Sequence, residues 1–239
     1  MTWSIVAHDR ETGEIGIGVA TRFFAVGAIV PHVEPGVGAI ATQALVNPFY
    51  GIDGLKLLRA GLPAAETMAR LLELDAGRDV RQVHMIDAQG RGIAHTGGSC
   101  VDWAGHVVGE GFSVAGNMLA GPQVVQATAE AFAGARGKPL AERFLIALEA
   151  GEAVGGDKRG KQSAAIRVHT TEPWPALDIR VDDHPDPLPE LRRLHAASQE
   201  RWAIFRSFMA TRMNYAGTTD RATINAAIEA AIEAAAAKT

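Results

Sequence analysis

Four strand-like segments lie close together at the amino terminus: residues 3–7, 15–20, 24–33 and 37–45. The links between them are short. Parallel neighbours need a crossover of a dozen or more residues, so short links favour antiparallel pairing. The second segment, Ile15-Gly16-Ile17-Gly18-Val19-Ala20, puts branched apolar residues on one face and small residues on the other. A small-residue face in a strand implies that another part of the chain lies close against it. Two helical patterns follow at 50–60 and 63–75, then strands at 80–86, 92–96 and 106–116. Two more helices run over 122–135 and 139–152, and late strands over 163–169 and 176–181. Pro63, Pro122 and Pro139 stand where helices begin, as suits a residue with a preset φ and no N–H. Helices in pairs between β blocks favour an α+β architecture of two antiparallel sheets with helical layers outside. One-for-one alternation would instead give a doubly wound parallel sheet.

The carboxy-terminal part has another character. Leu188, Leu191, Leu194, Ser198, Trp202, Phe205 and Met209 form a stripe at spacings of three and four, and an Ala-rich helix is expected over about 219–237. This predicts a main domain at 1–195 and a helical extension at 196–239. The extension either covers a core or joins two copies, and the aromatic stripe favours a homodimer.

Composition narrows the function classes. The net charge of −4, from 23 basic and 27 acidic residues, speaks against a nucleic-acid binder, which carries a basic patch or stripe. No apolar run reaches the roughly 18 residues of a membrane span. A single cysteine, Cys100, excludes an internal disulfide. Together with an amino terminus that lacks the order of a secretory signal, this reads as cytoplasmic. Glycine makes up 26 of 239 residues, about 11%, against a usual ~7%, which implies many tight turns or close approaches.

Thr2 carries the most chemistry. A small residue after the initiator permits loss of Met1, leaving a threonine with both a hydroxyl and a free α-amine. Such an amine has a reference pKa of about 7.7–8.0 and can take the hydroxyl proton, so one residue supplies nucleophile and base. Gln43 interrupts the small, apolar strand Ala39–Ala44 and is either buried with partners or pointed into a cleft. Asn117 ends a strand, where its amide either meets an oxyanion or caps a turn. The segment Gly155–Ser163 is the densest polar motif. Its glycines allow backbone N–H groups to approach an anion, and Arg159 can hold a carboxylate bidentately. Asp157, Gln162 and Ser163 share the segment, which is otherwise a solvated hairpin entrance. It lacks the spacing of a phosphate-binding P-loop. Cys100, Asp102 and His106 lie close in sequence, with His84 and His95 on nearby strands, but none shows a metal-site spacing. No metal and no cofactor are expected.

The segments MTWSIVAHD, GIGVATRFFAVGAIVP, GVGAIATQALVNPFYG, GGSCVDWAGH, GEGFSVAGNMLAGP and GGDKRGKQSAA resemble the DUF1028 family over about residues 1–195. That family is grouped by fold with the N-terminal-nucleophile (Ntn) hydrolases. The resemblance implies a four-layer αββα sandwich. It also implies a hydrolase acting on a carbon–nitrogen bond of a small amide, ureido or peptide-like molecule, with Thr2 as nucleophile. Arg22 would sit beneath Thr2 as the cation that depresses its amine pKa, or form a strand-end salt bridge. Asp9 would pair with Arg22 or position the amine, or serve only the turn it occupies. The alternative on the same fold is a non-catalytic protein binding a sugar or peptidoglycan fragment, since fold does not fix function.

Overall fold

The structure, a computed structural model, describes residues 2–236. Two compact units divide it, Met1–Leu191 and Arg192–Thr239. The expected boundary at 195/196 falls inside a helix, Pro187–Glu200.

The first unit is mixed α and β, with two antiparallel sheets. Its strands are β1 (Thr2–His8), β2 (Ile15–Thr21), β3 (Pro31–Glu34), β4 (Gly38–Ala44), β5 (Arg81–Asp87), β6 (Gly92–Thr96), β7 (Gly105–Gly109), β8 (Phe112–Asn117), β9 (Ser163–His169) and β10 (Leu177–Val181). One sheet runs β10-β9-β2-β1-β8-β7 and the other β3-β4-β5-β6. The sheets face each other, with β1 against β4 and β5, and β5 against β8. Helices α1 (Phe49–Arg59) and α2 (Ala64–Leu74) pack on the smaller sheet. Helices α3 (Pro122–Gly134) and α4 (Leu140–Ala153) pack on the larger one. Pro122 opens α3, whereas Pro63 and Pro139 stand one residue ahead of α2 and α4.

Strand periodicity explains the layers. Successive side chains point to opposite faces, so Thr2, Ser4 and Val6 face the second sheet while Trp3, Ile5 and Ala7 face the helices. Val6, Ile15, Ile17, Val19, Ala39, Ala41 and Ile86 fill one part of the space between the sheets. The small face of β2 takes α4 at close range. A Cβ on Gly18 would lie 3.1 Å from the Phe144 Cβ, and one on Gly16 would lie 2.4 Å from the Arg167 carbonyl oxygen on β9. Ile40, Tyr50, Leu58, Met68, Leu71 and Met85 form a second core beneath α1 and α2.

Two sequence expectations are corrected here. Residues 24–33 do not form one strand. Ala25 takes φ 53°, Val26–Ala28 makes a single 3-10 turn, and pairing resumes only at Pro31. Gly27 has no room for a side chain, since its Cβ would meet that of Ala165 at 2.5 Å. Residues 106–116 are a hairpin, β7 and β8, turning at Gly111 with φ 75°.

In the second unit the expected stripe breaks after Glu200. Helix α5 (Pro187–Glu200), which begins in the first unit, is followed by a short α6 (Trp202–Phe205), a 3-10 turn (Arg206–Phe208) and α7 (Arg221–Ala236). Asp220 caps α7 by accepting the Ala222 and Thr223 N–H groups at 3.2 and 3.1 Å. The expected helix reaches residue 237, which lies outside the described residues. No helix among the described residues is long and apolar enough to cross a membrane.

Candidate functional site

Thr2 opens β1, a central strand of the larger sheet, and lies opposite Asn117 on β8. Its hydroxyl oxygen is 3.1 Å from that of Thr21 at the end of β2. Its carbonyl accepts the side-chain amides of Gln43 at 3.3 Å and Asn117 at 3.4 Å. Around this end of β1 the space between the sheets is polar. Gln43 also donates to Gln82 Oε1 at 2.8 Å and to the Ala115 carbonyl at 3.1 Å, and Asn117 donates to Gln82 Oε1 at 3.0 Å. Gln82 in turn donates to the Gly116 carbonyl at 2.8 Å and to Thr96 Oγ1 at 2.9 Å. Three buried amides from three strands thus satisfy one another and fix the backbone around Thr2, which is how buried polar groups escape a desolvation penalty.

A second chain of hydrogen bonds joins this cluster. Ser4 Oγ donates to Gln43 Oε1 at 2.6 Å and lies 2.7 Å from His84 Nε2. The opposite ring nitrogen, Nδ1, lies 3.1 Å from Ser113 Oγ. The Ser4 proton is committed to Gln43, so His84 Nε2 carries a proton and donates to Ser4. Nδ1 of the neutral ring then accepts from Ser113. His84 is wholly buried. Burial pushes its pKa down to about 3, and the nearby charge of His106 adds to the effect.

An apolar cavity of about 440 Å³ adjoins this end of β1, with Phe23, Leu45, Val101, Met118, Asn117 and Arg159 among its walls. Two of its lining residues, Ala44 and Met118, hold left-handed φ of 70° and 51°. They directly follow Gln43 and Asn117. Among the described residues, Ala25 is the one other non-glycine with positive φ. Such backbone costs about 1–3 kcal/mol per residue and collects at functional sites.

The 155–163 loop meets this region through Asp157. Its carboxylate, with no exposed surface, accepts the backbone N–H groups of Arg22 and Arg159, each at 2.8 Å, and the Arg159 guanidinium at 3.3 Å. The loop is thereby tied to the strand end that carries Thr21.

The remaining residues singled out from sequence fall into other roles. Arg22 is exposed, and its guanidinium donates to the Arg159 carbonyl at 3.0 Å, so it braces the loop. Asp9 is at the far end of β1. It accepts the Glu11 and Thr12 N–H groups within its own turn, and its ion pair is with Arg143 at 3.2 Å, not with Arg22. Ser163 is buried and pins the irregular 22–30 segment, donating to the Phe23 carbonyl at 2.5 Å and accepting the Val26 N–H at 3.1 Å. Gln162 donates to Asp183 at 3.0 Å, away from the amide cluster. Cys100, His95 and His106 bond to the Arg81 carbonyl, the Arg78 carbonyl and Thr96 respectively. Among the described residues no group of three or more His, Cys, Asp or Glu is placed to hold a metal ion.

Sequence reasoning did not single out Ser4, Thr21, Gln82 or Ser113, and considered His84 only as a metal ligand. Gln82 and His84 gave the same signal as Gln43, polar residues alternating with Val83 and Met85 in an otherwise apolar strand.

The chain resembles protein SPO2555 from Silicibacter pomeroyi, whose crystal structure aligns with a TM-score of 0.85 at 32% identity, covering 92% of this chain and 96% of that one. A weaker alignment, TM-score 0.39 at 12% identity, is found with Anbu (ancestral beta-subunit) from Yersinia bercovieri, covering 82% of this chain and 94% of that one. A search of curated proteins gives no match. A family model described as a family of unknown function, DUF1028, matches residues 2–191, and the chain belongs to that family.

Proposed function

We propose that the first unit is a four-layer αββα sandwich of the Ntn-hydrolase type that cleaves a small amide, ureido or peptide-like bond. Thr2 is the nucleophile. The observation that carries this reading is Thr2 at the start of a central strand. Its hydroxyl is met by Thr21, its carbonyl is clamped by Gln43 and Asn117, and Asn117 also lines a cavity. Loss of Met1 turns the Thr2 backbone nitrogen into a primary amine. The hydroxyl adds to the substrate carbonyl and its proton passes to that amine. The C–N bond breaks, the leaving nitrogen takes the proton, and the acyl group stays on Thr2 as an ester. Water, giving its proton to the same amine, adds to the ester; the carboxylic acid departs and the hydroxyl is restored. Thr21 holds the hydroxyl in position, and the Gln43–Gln82–Asn117 cluster fixes the strand end that bears it. No step calls for a cofactor.

The test joins intact mass to turnover. Protein from its native host is expected to lack one methionine and to hydrolyse a member of an amide and ureido panel, with Thr2→Ala abolishing the rate. Undiminished hydrolysis by Thr2→Ala overturns the reading. A second reading, a ligand-binding protein without turnover, is favoured by the 7% exposure of Thr2. Binding from the same panel, unchanged in Thr2→Ala and with no product formed, would select it.

A further inference from the structure

The cavity that shares Asn117 with the clamp on Thr2 carries information about what the site accepts. Most of its wall is apolar and comes from distant parts of the chain: Phe23 after β2, Leu45 after β4, Val101 before β7 and Met118 after β8. Phe23, Leu45 and Val101 are 57%, 62% and 53% exposed. Three large apolar side chains in water around one opening need a reason, because such patches mark binding sites when they gather in one place. The wall behind them is held open by fixed backbone. The Met118 N–H donates to the Val101 carbonyl at 2.8 Å, the Leu45 N–H to the Val80 carbonyl at 3.2 Å, and Ala44 and Met118 keep their left-handed φ. A volume of about 440 Å³ is within the ordinary range for small-molecule sites, ~300–1,000 Å³.

One cation stands in this apolar wall. The Arg159 side chain is 40% exposed, and its guanidinium reaches Asp157 through one nitrogen at 3.3 Å. Asp157 is itself held by two backbone N–H groups at 2.8 Å, so the arginine is anchored at one corner. A guanidinium carries five donors in a planar fork suited to a carboxylate. At the inner end, Asn117 belongs both to the cavity and to the clamp on Thr2.

We infer that the site takes N-acyl amino acids: an aliphatic or aromatic acyl group in the apolar cavity, a carboxylate on Arg159, and the amide between them at Thr2. This rests on the hydrolase reading above and narrows it to one substrate class. Cleavage adds one water across the amide and yields a fatty or arylalkyl carboxylic acid and a free amino acid.

Titration calorimetry with full-length Thr2→Ala protein tests the ligand class apart from the chemistry. The probes are N-octanoylglycine, N-acetylglycine and N-octanoylglycinamide. Octanoylglycine is expected to bind at least about 30-fold more tightly than acetylglycine, below the roughly 3,000-fold ceiling for complete burial of six methylenes. Arg159→Gln is expected to weaken octanoylglycine about 10-fold and to leave octanoylglycinamide within about 2-fold, as fits one charge-assisted pair. Leu45→Glu, at an exposed position that leaves the core intact, is expected to weaken both octanoyl probes and spare acetylglycine. Equal affinity for the octanoyl and acetyl probes, or no binding of any probe, overturns the proposal. Tight octanoylglycine binding with no hydrolysis by protein whose mass places Thr2 first would overturn the hydrolase reading and leave the ligand class standing. Hydrolysis without preference for chain length would do the reverse.

Discussion

His84 should make the fold acid-sensitive by a definable amount. The ring is fully buried and already hydrogen-bonded in its neutral form. Burial, with the charge of His106, holds its pKa at about 3, against 6.5 for an exposed imidazole. Between these values the unfolded chain binds a proton that the folded chain refuses. The stability is therefore fully present above pH ~6.5 and is lost as pH falls toward 3. Each pKa unit corresponds to about 1.36 kcal/mol, so lowering pH from 8 to 4.5 costs about 2.7 kcal/mol through this residue alone. His8, His32, His106 and His169 are also shifted down by burial and act in the same direction. The assay must therefore be a difference. Urea unfolding of wild type and His84→Gln at both pH values removes every term they share, and wild type should lose about 2.7 kcal/mol more than the variant. A difference flat to within about 0.5 kcal/mol would refute the argument. If the variant does not fold, the His84 ring signals of wild type in NMR settle the matter: no titration is expected down to pH 4.5, and a midpoint near 6 sinks the idea.

Other expectations follow from single contacts. Asp9→Ala leaves Arg143, nine-tenths buried over the Phe132 ring at 4.0 Å, without its ion-pair partner. A loss of about 3 kcal/mol in denaturant unfolding is expected, with octanoylglycine affinity unchanged, because Asp9 lies at the other end of β1. Gln82→Ala strips acceptors from Gln43 and Asn117 and a donor from the Gly116 carbonyl. It should cost about 2–4 kcal/mol and weaken turnover as well; stability lost with kcat intact would separate the amide cluster from the chemistry. Gly16→Ala drives a Cβ to 2.4 Å from the Arg167 carbonyl oxygen, and a midpoint shift worth at least ~2 kcal/mol is expected. We also propose a homodimer formed through the second unit, where Phe205 and Ile232 are 44% and 43% exposed. Light scattering should give twice the chain mass, and deletion of 197–239 should halve it; a persisting dimer would clear the tail.

Local periodicity reports which face of a strand is buried, and on that count much was legible. The Gly16–Gly18 face foretold a close neighbour, and Gln43 stood out as a polar group that needed partners. What periodicity does not carry is the identity of a partner far along the chain. Asp157 reaches Arg22 across 135 residues and Asp9 reaches Arg143 across 134. Nothing near Asp9 in sequence distinguishes Arg143 from the nearer Arg22. The 24–33 segment misled for a related reason. Its apolar run suits a strand, but Ser163 holds it by hydrogen bonds to Phe23 and Val26. Gln82 and His84 were within reach on the same ground as Gln43, each being a polar side chain in an otherwise apolar strand.

The two ends of β1 divide the work of the first unit. Ser4 links the polar cluster at Thr2 to the buried His84, and beyond it the inter-sheet space becomes apolar at Val6. At the far end the Asp9–Arg143 pair closes the strand against α4. Strain obeys the same division. Left-handed Ala44 and Met118 both lie at the Thr2 end, and their cost is borne by sheets whose registers are fixed elsewhere. Relaxing that strain should therefore change ligand affinity before it changes the fold. Met118→Gly, which accepts a φ of 51° without penalty, is the decisive case. It should leave unfolding stability level or slightly higher while weakening octanoylglycine through loss of a wall. A large drop in stability would mean that the Met118 side chain serves the core and not the cavity.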